Sequence, residues 1–402
     1  GSDFRAEPAH LKRQGELSAV AVYVFEFAGL TELVRHRGGH CVSQIQAQGA
    51  KYLREQVGDQ LMVVPTAKGT VTVYWFLRDF DRDKVFDRDI GAIMSQWAAN
   101  LTERGFLLED GPAFLSAYGS WEVRFKSPTD GSWTSTKGAV QPLIPWDADK
   151  HNQSDLESAF RCLHGSASEL SAEGVVRYWQ PVCKGKGDEV LYHEGLSRWV
   201  SANDSVRTMA SELKALEGTG FIRIFDHRTL LGVVEDLISH PQLSLGMNIS
   251  AKSAALDHLW EDVLSFLNGR QDVARRLVIE ITETALLDNI GMVSKFCSRL
   301  QKCGVRLALD DFGAGFSSIK TLISMDPDIV KIDKSFLAAA AASKKCRQIF
   351  DNMVRLIDAS GAIPVAEGVE DDLHDKIANE AGVAWKQGYK FGVPRIVLCG
   401  AV

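Results

Sequence analysis

The run Arg306-Leu307-Ala308-Leu309-Asp310-Asp311-Phe312-Gly313 decides how the larger part of this 402-residue chain reads. A few apolar residues suffice for a short buried strand, and this one ends in two adjacent carboxylates and a glycine. The same arrangement recurs on either side of it, with amphipathic helices between the strands. Strands are predicted at Val175–Gln180, Leu191–Arg198, Leu245–Ile249, Leu277–Ile281, Arg306–Leu309, Ile329–Ile332, Pro364–Ala366 and Gln387–Tyr389. Ile290, Val293, Phe296, Cys297 and Leu300 make one helical stripe, stopped by Gly304. Ile349, Phe350, Met353, Val354 and Ile357 make another, stopped by Gly361. This repetition predicts an α/β fold, a TIM-like (β/α)8 barrel.

In such a barrel the polar residues at the C-terminal ends of the strands converge on one open face. The residues predicted there are Glu194, Asn248, Glu280 with Glu283, Asp310 with Asp311, Lys331, Glu367 with Glu370, and Gln387. One glutamate at a strand end reads as a loop cap, and Gly313 and Gly315 alone read as turn glycines. A carboxylate, carboxamide or lysine at each of these strand ends does not read that way. Carboxylates this dense repel one another and need cations. Oxygen ligands without His or Cys favour Mg2+ or Mn2+. The adjacent pair Asp310-Asp311 can serve two metals about 3.5–4 Å apart, as in two-metal phosphoryl hydrolysis.

Ahead of the barrel the pattern changes. Ala19 to Phe25 is a strand run apolar on both faces, followed by a helical stretch at Leu30, Leu33 and Val34 and a helix from about Cys41 to Val57. Leu61–Val64 and Gly69–Leu77 read as a hairpin, Ile90–Leu101 as a helix, and Phe114–Tyr118 with Trp121–Phe125 as a last strand pair. Together they predict an α+β sandwich over residues 1–145. Residues 126 to about 152 read as loop and linker, rich in Ser, Thr, Gly, Pro and Asp. A helix near Leu156–Leu170 leads on, with the linker set at 146–160 and the barrel at 161–402.

Composition narrows the function classes. With 45 Lys and Arg against 52 Asp and Glu the net charge is −7, which argues against a generic grip on duplex nucleic acid. No stretch approaches the roughly 18 apolar residues of a membrane span. Seven scattered cysteines form no CxxC or Cys/His cluster, so a reducing cytoplasm is expected and a zinc site is not. His36, His40, His151, His164 and His193 show no ligand spacing. Gly1-Ser2 reads as a protease-cleavage scar, leaving room for a membrane or sensor region ahead of it.

Residues 160–396 resemble the EAL-domain phosphodiesterases of bacterial cyclic-di-GMP signalling. Tyr192-His193-Glu194-Gly195-Leu196-Ser197-Arg198-Trp199 is similar to the family's signature strand, with Gly195 where Ala is usual. Asn248-Ile249-Ser250 resembles its Asn-x-Ser and Glu280-Ile281-Thr282-Glu283 its Glu-x-Thr-Glu. The run Asp310–Ser318 resembles its DDFGTGYSS loop, with Ala314 for Thr and Phe316 for Tyr. Lys331-Ile332-Asp333, Ala366-Glu367-Gly368-Val369-Glu370, and Gln387-Gly388-Tyr389 with Phe391, Gly392 and Pro394 complete the set.

The resemblance implies hydrolysis of cyclic-di-GMP to linear pGpG with two Mg2+ or Mn2+ ions. Glu194, Asn248, Glu280 and Asp310 would ligate one metal, and Asp310, Asp311 and Glu367 the second. Lys331 would orient or activate the attacking water. Arg198 would contact a ligand phosphate, and Gln387 would help position metal or water. Gln180, Leu196, Phe391 and Pro394 would complete the substrate-binding set. Glu283 would brace the loop that links the site to a homodimer interface on the same domain. Gly195 is expected to loosen the signature strand slightly.

Phe25-Glu26-Phe27 with Gly29-Leu30, then Gly38-Gly39-His40, resembles the first strand and helix of a GGDEF-like domain. Its hairpin reads Ala67-Lys68-Gly69-Thr70-Val71, without the carboxylates that cyclase chemistry needs. A degenerate, regulatory or dimerising module is expected. Two other readings of the barrel stand beside hydrolysis: a cyclic-di-GMP receptor with negligible turnover, and a metal-dependent lyase with Lys331 as base.

Overall fold

The computed structural model describes residues 17–396, apart from 58–60, 67–68, 79–86, 127–131, 143–152, 168–173, 186–188, 202, 204, 257, 283–289 and 315–317. The chain divides between Phe160 and Arg161 into two compact units. Among the described residues no helix is long and apolar enough to cross a membrane.

The first unit contains β1 (Leu17–Ala28), α1 (Leu30–Arg37), α2 (His40–Val57), β2 (Leu61–Pro65), β3 (Val71–Arg78), α3 (Asp87–Arg104), β4 (Phe106–Leu108), β5 (Gly111–Ala113), β6 (Ser116–Lys126) and β7 (Trp133–Val140). Its helix α4 (Gln153–Ala167) carries the division between the units and starts inside the stretch read as linker. Five antiparallel strands form one sheet in the order β2-β3-β1-β6-β7. Central β1 is buried on one face through Ala19, Ala21, Tyr23, Phe25 and Phe27. On the other face Val20 packs with Phe76, Val22, Met62 and Tyr74, so the strand is apolar on both sides.

Two sequence expectations fail here, for physical reasons. The strand pair at 114–125 is a single strand, β6, that runs through Gly119 without a turn. Gly119 has φ 151°, and a Cβ there would lie 1.8 Å from the Val24 carbonyl oxygen. The glycine marks a close approach of β6 to β1 and not a reversal. The supposed loop beyond Lys126 holds β7, an edge strand paired with β6. Its Ser and Thr residues hide it from an apolar-pattern search, although β-branched Thr suits a half-exposed strand.

The second unit contains β8 (Gly174–Lys184), β9 (Glu189–Val200), β10 (Val206–Thr208), α5 (Ala210–Thr219), α6 (Ile222–Ser239), β11 (Leu245–Ile249), α7 (His258–Gly269), α8 (Gln271–Ala274), β12 (Leu277–Thr282) and α9 (Ile290–Lys302). It continues through β13 (Arg306–Phe312), α10 (Ser318–Met325), β14 (Ile329–Ile332), α11 (Lys334–Ala342), α12 (Lys344–Ser360), β15 (Ile363–Ala366), α13 (Asp372–Glu380) and β16 (Trp385–Lys386). Strands β9-β11-β12-β13-β14-β15-β16-β8 close into a barrel through β8–β9 pairing, with β10 added outside on β9. The barrel is less regular than a pure strand–helix repeat: β8 runs antiparallel to both β9 and β16. The last strand ends at Lys386, so Gln387 follows it directly where the sequence predicted a strand over 387–389.

Inside the barrel Val182, Tyr192, Val278, Ala308, Ile329 and Val365 form an apolar layer, with Trp385 packed against it. The larger core lies between strands and helices; it takes Val293, Phe296, Cys297 and Leu300 from α9 and Phe350, Val354 and Ile357 from α12. Gly304 (φ 89°) and Gly361 (φ 85°) follow the two helices in left-handed conformations. Because Gly119 cannot accept a Cβ without parting β6 from β1, Gly119→Ala should cost roughly 2 kcal/mol or more. Urea unfolding followed by fluorescence of the tryptophans checks this, and an unchanged midpoint would contradict the close approach.

Candidate functional site

Alternation along each strand turns every second side chain into the barrel. Above the apolar layer it presents Glu194 on β9, Asn248 on β11, Glu280 on β12, Asp310 on β13 and Lys331 on β14, with Glu367 just beyond β15 and Gln387 just beyond β16. Lys331 is 1% exposed and sits at the centre. Its Nζ lies 3.1 Å from Glu194 Oε2, 2.8 Å from Glu280 Oε2, 3.0 Å from Asp310 Oδ1 and 2.9 Å from Glu367 Oε1. Glu194 is held further: Asn248 Nδ2 donates to Oε1 at 2.7 Å and Gln387 Nε2 to Oε2 at 2.6 Å.

Adjacent residues on a regular strand point to opposite faces, so Asp310 and Asp311 should diverge. A bulge prevents this. Leu309 pairs with Val330 and Phe312 with Ile332, leaving Asp310 and Asp311 together opposite Lys331. Asp311 takes φ 54°, the left-handed conformation that Asp adopts more readily than bulkier residues. The result is one carboxylate oxygen each from Asp310, Asp311 and Glu367 within 4.8 Å of one another, a set able to hold a metal ion.

Electrostatics sort these groups. Burial opposes charge on Lys331, but Asp310, Glu194, Glu280 and Glu367 outweigh it and hold the ammonium well above its ordinary pKa. Burial would also raise Glu194, yet Lys331 and the bonds from Gln387 and Asn248 bring it below the ordinary value. Glu280 shares Lys331 but lacks the two amide donors; burial and the Glu194 charge push it well above. Burial, with the Asp310 charge, raises Asp311 to about 6. Glu367 is pushed up to about 8, by burial first and then by Asp310 and Glu194 against the pull of Lys331. Glu280 Oε1 and Gln387 Oε1 are buried with no hydrogen-bond partner. One lysine thus faces an excess of anionic oxygen, and a hard divalent cation fits that deficit.

A cleft of about 290 Å3 opens over these groups. Of the sequence-predicted residues, Gln180, Glu194, Leu196, Asp310, Asp311, Lys331, Glu367, Glu370 and Gln387 line it. Gln180 donates to the Gly392 carbonyl at 3.0 Å, tying β8 to the chain beyond Gln387. Arg198, Phe391 and Pro394 are not among the lining residues. Arg198 lies on the face of β9 shared by Glu194 and Leu196, but its guanidinium donates to the Ser197 carbonyl. The Phe391 ring packs against the outer core between Lys386 and Lys390. Glu283 lies outside the described residues, as do 315–317 of the adjoining loop.

Residues whose part the sequence did not disclose also appear. Asp333, Lys334 and Tyr389 line the cleft. At Gly246 a Cβ would meet the Tyr192 ring at 2.6 Å and Glu280 Oε1 at 2.9 Å, so glycine makes the room Glu280 occupies. At Gly388 a Cβ would lie 2.1 Å from the Val369 carbonyl, and this approach lets Gln387 O accept from Val369 N at 3.0 Å. Gly195, expected to loosen the signature strand slightly, pairs with Trp179 across the β8–β9 hairpin, and the Trp179 ring lies 3.0 Å from where the Ala methyl would sit. Only hairpin register, which the sequence does not display, reveals that contact.

Residues 166–394 match the EAL-domain family. Cyclic di-GMP phosphodiesterase PdeF of Escherichia coli (strain K12) is 29% identical over 220 residues, which is 54% of this chain and 29% of the relative. Cyclic di-GMP phosphodiesterase NbdA of Pseudomonas aeruginosa is 29% identical over 222 residues, 54% of this chain and 28% of the relative. The chain therefore spans under a third of the length of these two proteins. A solved structure of the EAL enzyme Bd1971, in its cAMP- and cyclic-di-GMP-bound form, shares the fold: TM-score 0.51 and 21% identity, over 55% of this chain and 62% of that one.

The raised carboxyl groups fix the sign of a pH effect. Their stabilising contribution is complete below the ordinary carboxylate range and is lost as pH rises through about 6 for Asp311 and about 8 for Glu367. The melting temperature gained on adding Mn2+ should therefore be larger at pH 8.5 than at pH 5.5, because cation binding then displaces fewer protons. Differential scanning fluorimetry with and without EDTA measures it; a gain independent of pH would contradict the assignment.

Proposed function

The chain belongs to the EAL-domain family, and we propose that its second unit hydrolyses cyclic di-GMP to linear pGpG with two divalent cations, Mg2+ or Mn2+. The observation that carries this reading is the full acidic set gathered around Lys331 beneath one cleft. The names of the relatives PdeF and NbdA support the substrate. Glu194, Asn248, Glu280 and Asp310 would hold one cation, and Asp310, Asp311 and Glu367 the other. Bound there, the cations supply positive charge to the phosphodiester oxygens and make water a better nucleophile at neutral pH.

The chain's own groups do the rest. Lys331 keeps its proton among the carboxylates and offers N–H donors where an attacking water or the developing phosphoryl charge needs them. Asn248 and Gln387 fix both oxygens of Glu194, so that carboxylate cannot swing. Gln180 and Leu196 shape one wall of the cleft, and Arg198, two residues on along the same face, would meet a ligand phosphate that extends past it. Family membership also supports homodimerisation through this unit and a cytoplasmic site of action.

The first unit fits a degenerate GGDEF-like regulatory module. In its β2–β3 turn the described residues Thr66, Gly69 and Thr70 carry no carboxylate, and Gln46 Nε2 ties the turn to α2 through the carbonyls of Thr66 and Thr70. Glu26 is occupied by the Tyr118 hydroxyl at 3.0 Å.

Chromatography of cyclic di-GMP incubated with the protein tests the reading. The account expects pGpG with Mg2+ or Mn2+ and none with EDTA. Intact ligand co-eluting with the protein would support a receptor, and no binding a barrel lyase for another anion. Glu194→Ala should abolish the metal-dependent turnover. Lys331→Ala, assayed with metal present, should lower kcat by about 10²-fold or more while the Kd for cyclic di-GMP changes little. A loss confined to binding would contradict the role given to Lys331.

A further inference from the structure

Asp226 is a buried carboxylate outside the cleft lining, 4% exposed, in the second turn of α6. Among the described residues, both of its hydrogen bonds go to one short segment. Its Oδ2 accepts from Ser250 N at 2.8 Å and from Ser253 Oγ at 2.6 Å. That segment is the turn by which the chain leaves β11, closed by Ser253 N on the Ser250 carbonyl at 2.9 Å. Trp260 Nε1 donates to the Ser253 carbonyl at 2.7 Å, and Ser250 Oγ donates to Glu217 Oε1 at 2.9 Å.

The place of this turn gives Asp226 its meaning. Asn248, two residues upstream, holds Glu194 Oε1. On one side Asn248 is fixed by the β11–β12 ladder, where it pairs with Glu280. On the other side the β11–β9 ladder stops at Met247, one residue short. The β12 ladder runs one pair further, to Ile249 with Ile281, and the residue after it, Ser250, has its N–H held by Asp226. A carboxylate buried here is costly: desolvation pushes Asp226 up to about 7 in spite of its two donors. A merely apolar helix–turn contact would carry no such cost.

We propose that Asp226 is a positioning residue, which clamps the turn after β11 and thereby aims the Asn248 carboxamide at Glu194 in the cation site. The part concerning cations rests on the function proposed above. Groups hydrogen-bonded directly to a metal ligand typically change metal affinity about 10–100-fold when removed; Asp226 acts one step further out, through the Ser250 backbone, so the lower end of that range is expected.

The test uses the full chain. Asp226→Ala should weaken Mn2+ affinity about tenfold or more by calorimetry, whereas Asp226→Asn, which keeps an acceptor oxygen, should stay within about threefold. In parallel, the side-chain amide resonance of Asn248, assigned by NMR in the metal-free protein, should move in Asp226→Ala and stay in Asp226→Asn. A folded Asp226→Ala with wild-type Mn2+ affinity and an unmoved Asn248 amide would overturn the proposal. If Asp226→Ala does not fold, Ser253→Ala decides, since it removes one of the two donors: a shifted Asn248 amide supports the clamp and an unshifted one overturns it. If the wild-type protein takes up no Mn2+, the cation reading fails, while the Asn248 resonance still reports on the clamp.

Discussion

Lys331 Nζ has carboxylate oxygens of Glu194, Glu280, Asp310 and Glu367 within 3.1 Å. Neither side of this arrangement survives alone. A lysine this deeply buried keeps its proton only because anions surround it, and carboxylates this close stay together only because a cation lies among them. One ammonium does not balance them. Glu194, with three donors, falls below its ordinary pKa, while Glu280, Asp310 and Glu367 rise above theirs. The remaining deficit gives divalent cations their place in the account.

The barrel serves to make that convergence possible. Lys331 and Glu194 are 137 residues apart in the chain, and Glu194 and Gln387 are 193 apart; closing the sheet through β8 and β9 brings them together. Below them an apolar layer around Tyr192 and Ile329 keeps water from reaching the charges from beneath. Local departures from regular structure do the fine placement. The β13 bulge turns Asp311 beside Asp310, Gly246 opens the space for Glu280, and Gly388 draws Gln387 against the chain at Val369.

Much of this was legible in the sequence, because a short apolar run ending in a polar residue is a local signal. Asp310, Lys331 and Glu280 could be placed at strand ends without knowing how the strands pair. What depends on pairing was not legible. The antiparallel direction of β8 requires knowing that β8 and β9 form a hairpin, and so does the Trp179 ring that packs at Gly195. The break set between Phe114–Tyr118 and Trp121–Phe125 falls at Gly119, because glycine signals a reversal and a close strand contact with the same letter. Arg198, Phe391 and Pro394 came from motif resemblance, and resemblance does not specify side-chain direction; Phe391 packs on the outer core. Asp226 had no signal at all, since its partners Ser250 and Ser253 lie 24 and 27 residues away.

The most direct test of the central claim is anomalous diffraction from crystals grown with Mn2+. The account predicts two manganese peaks about 3.5–4 Å apart, one bounded by Glu194, Asn248, Glu280 and Asp310 and the other by Asp310, Asp311 and Glu367. Crystals that take up no manganese there, with Lys331 still bonded to all four carboxylates, would contradict it.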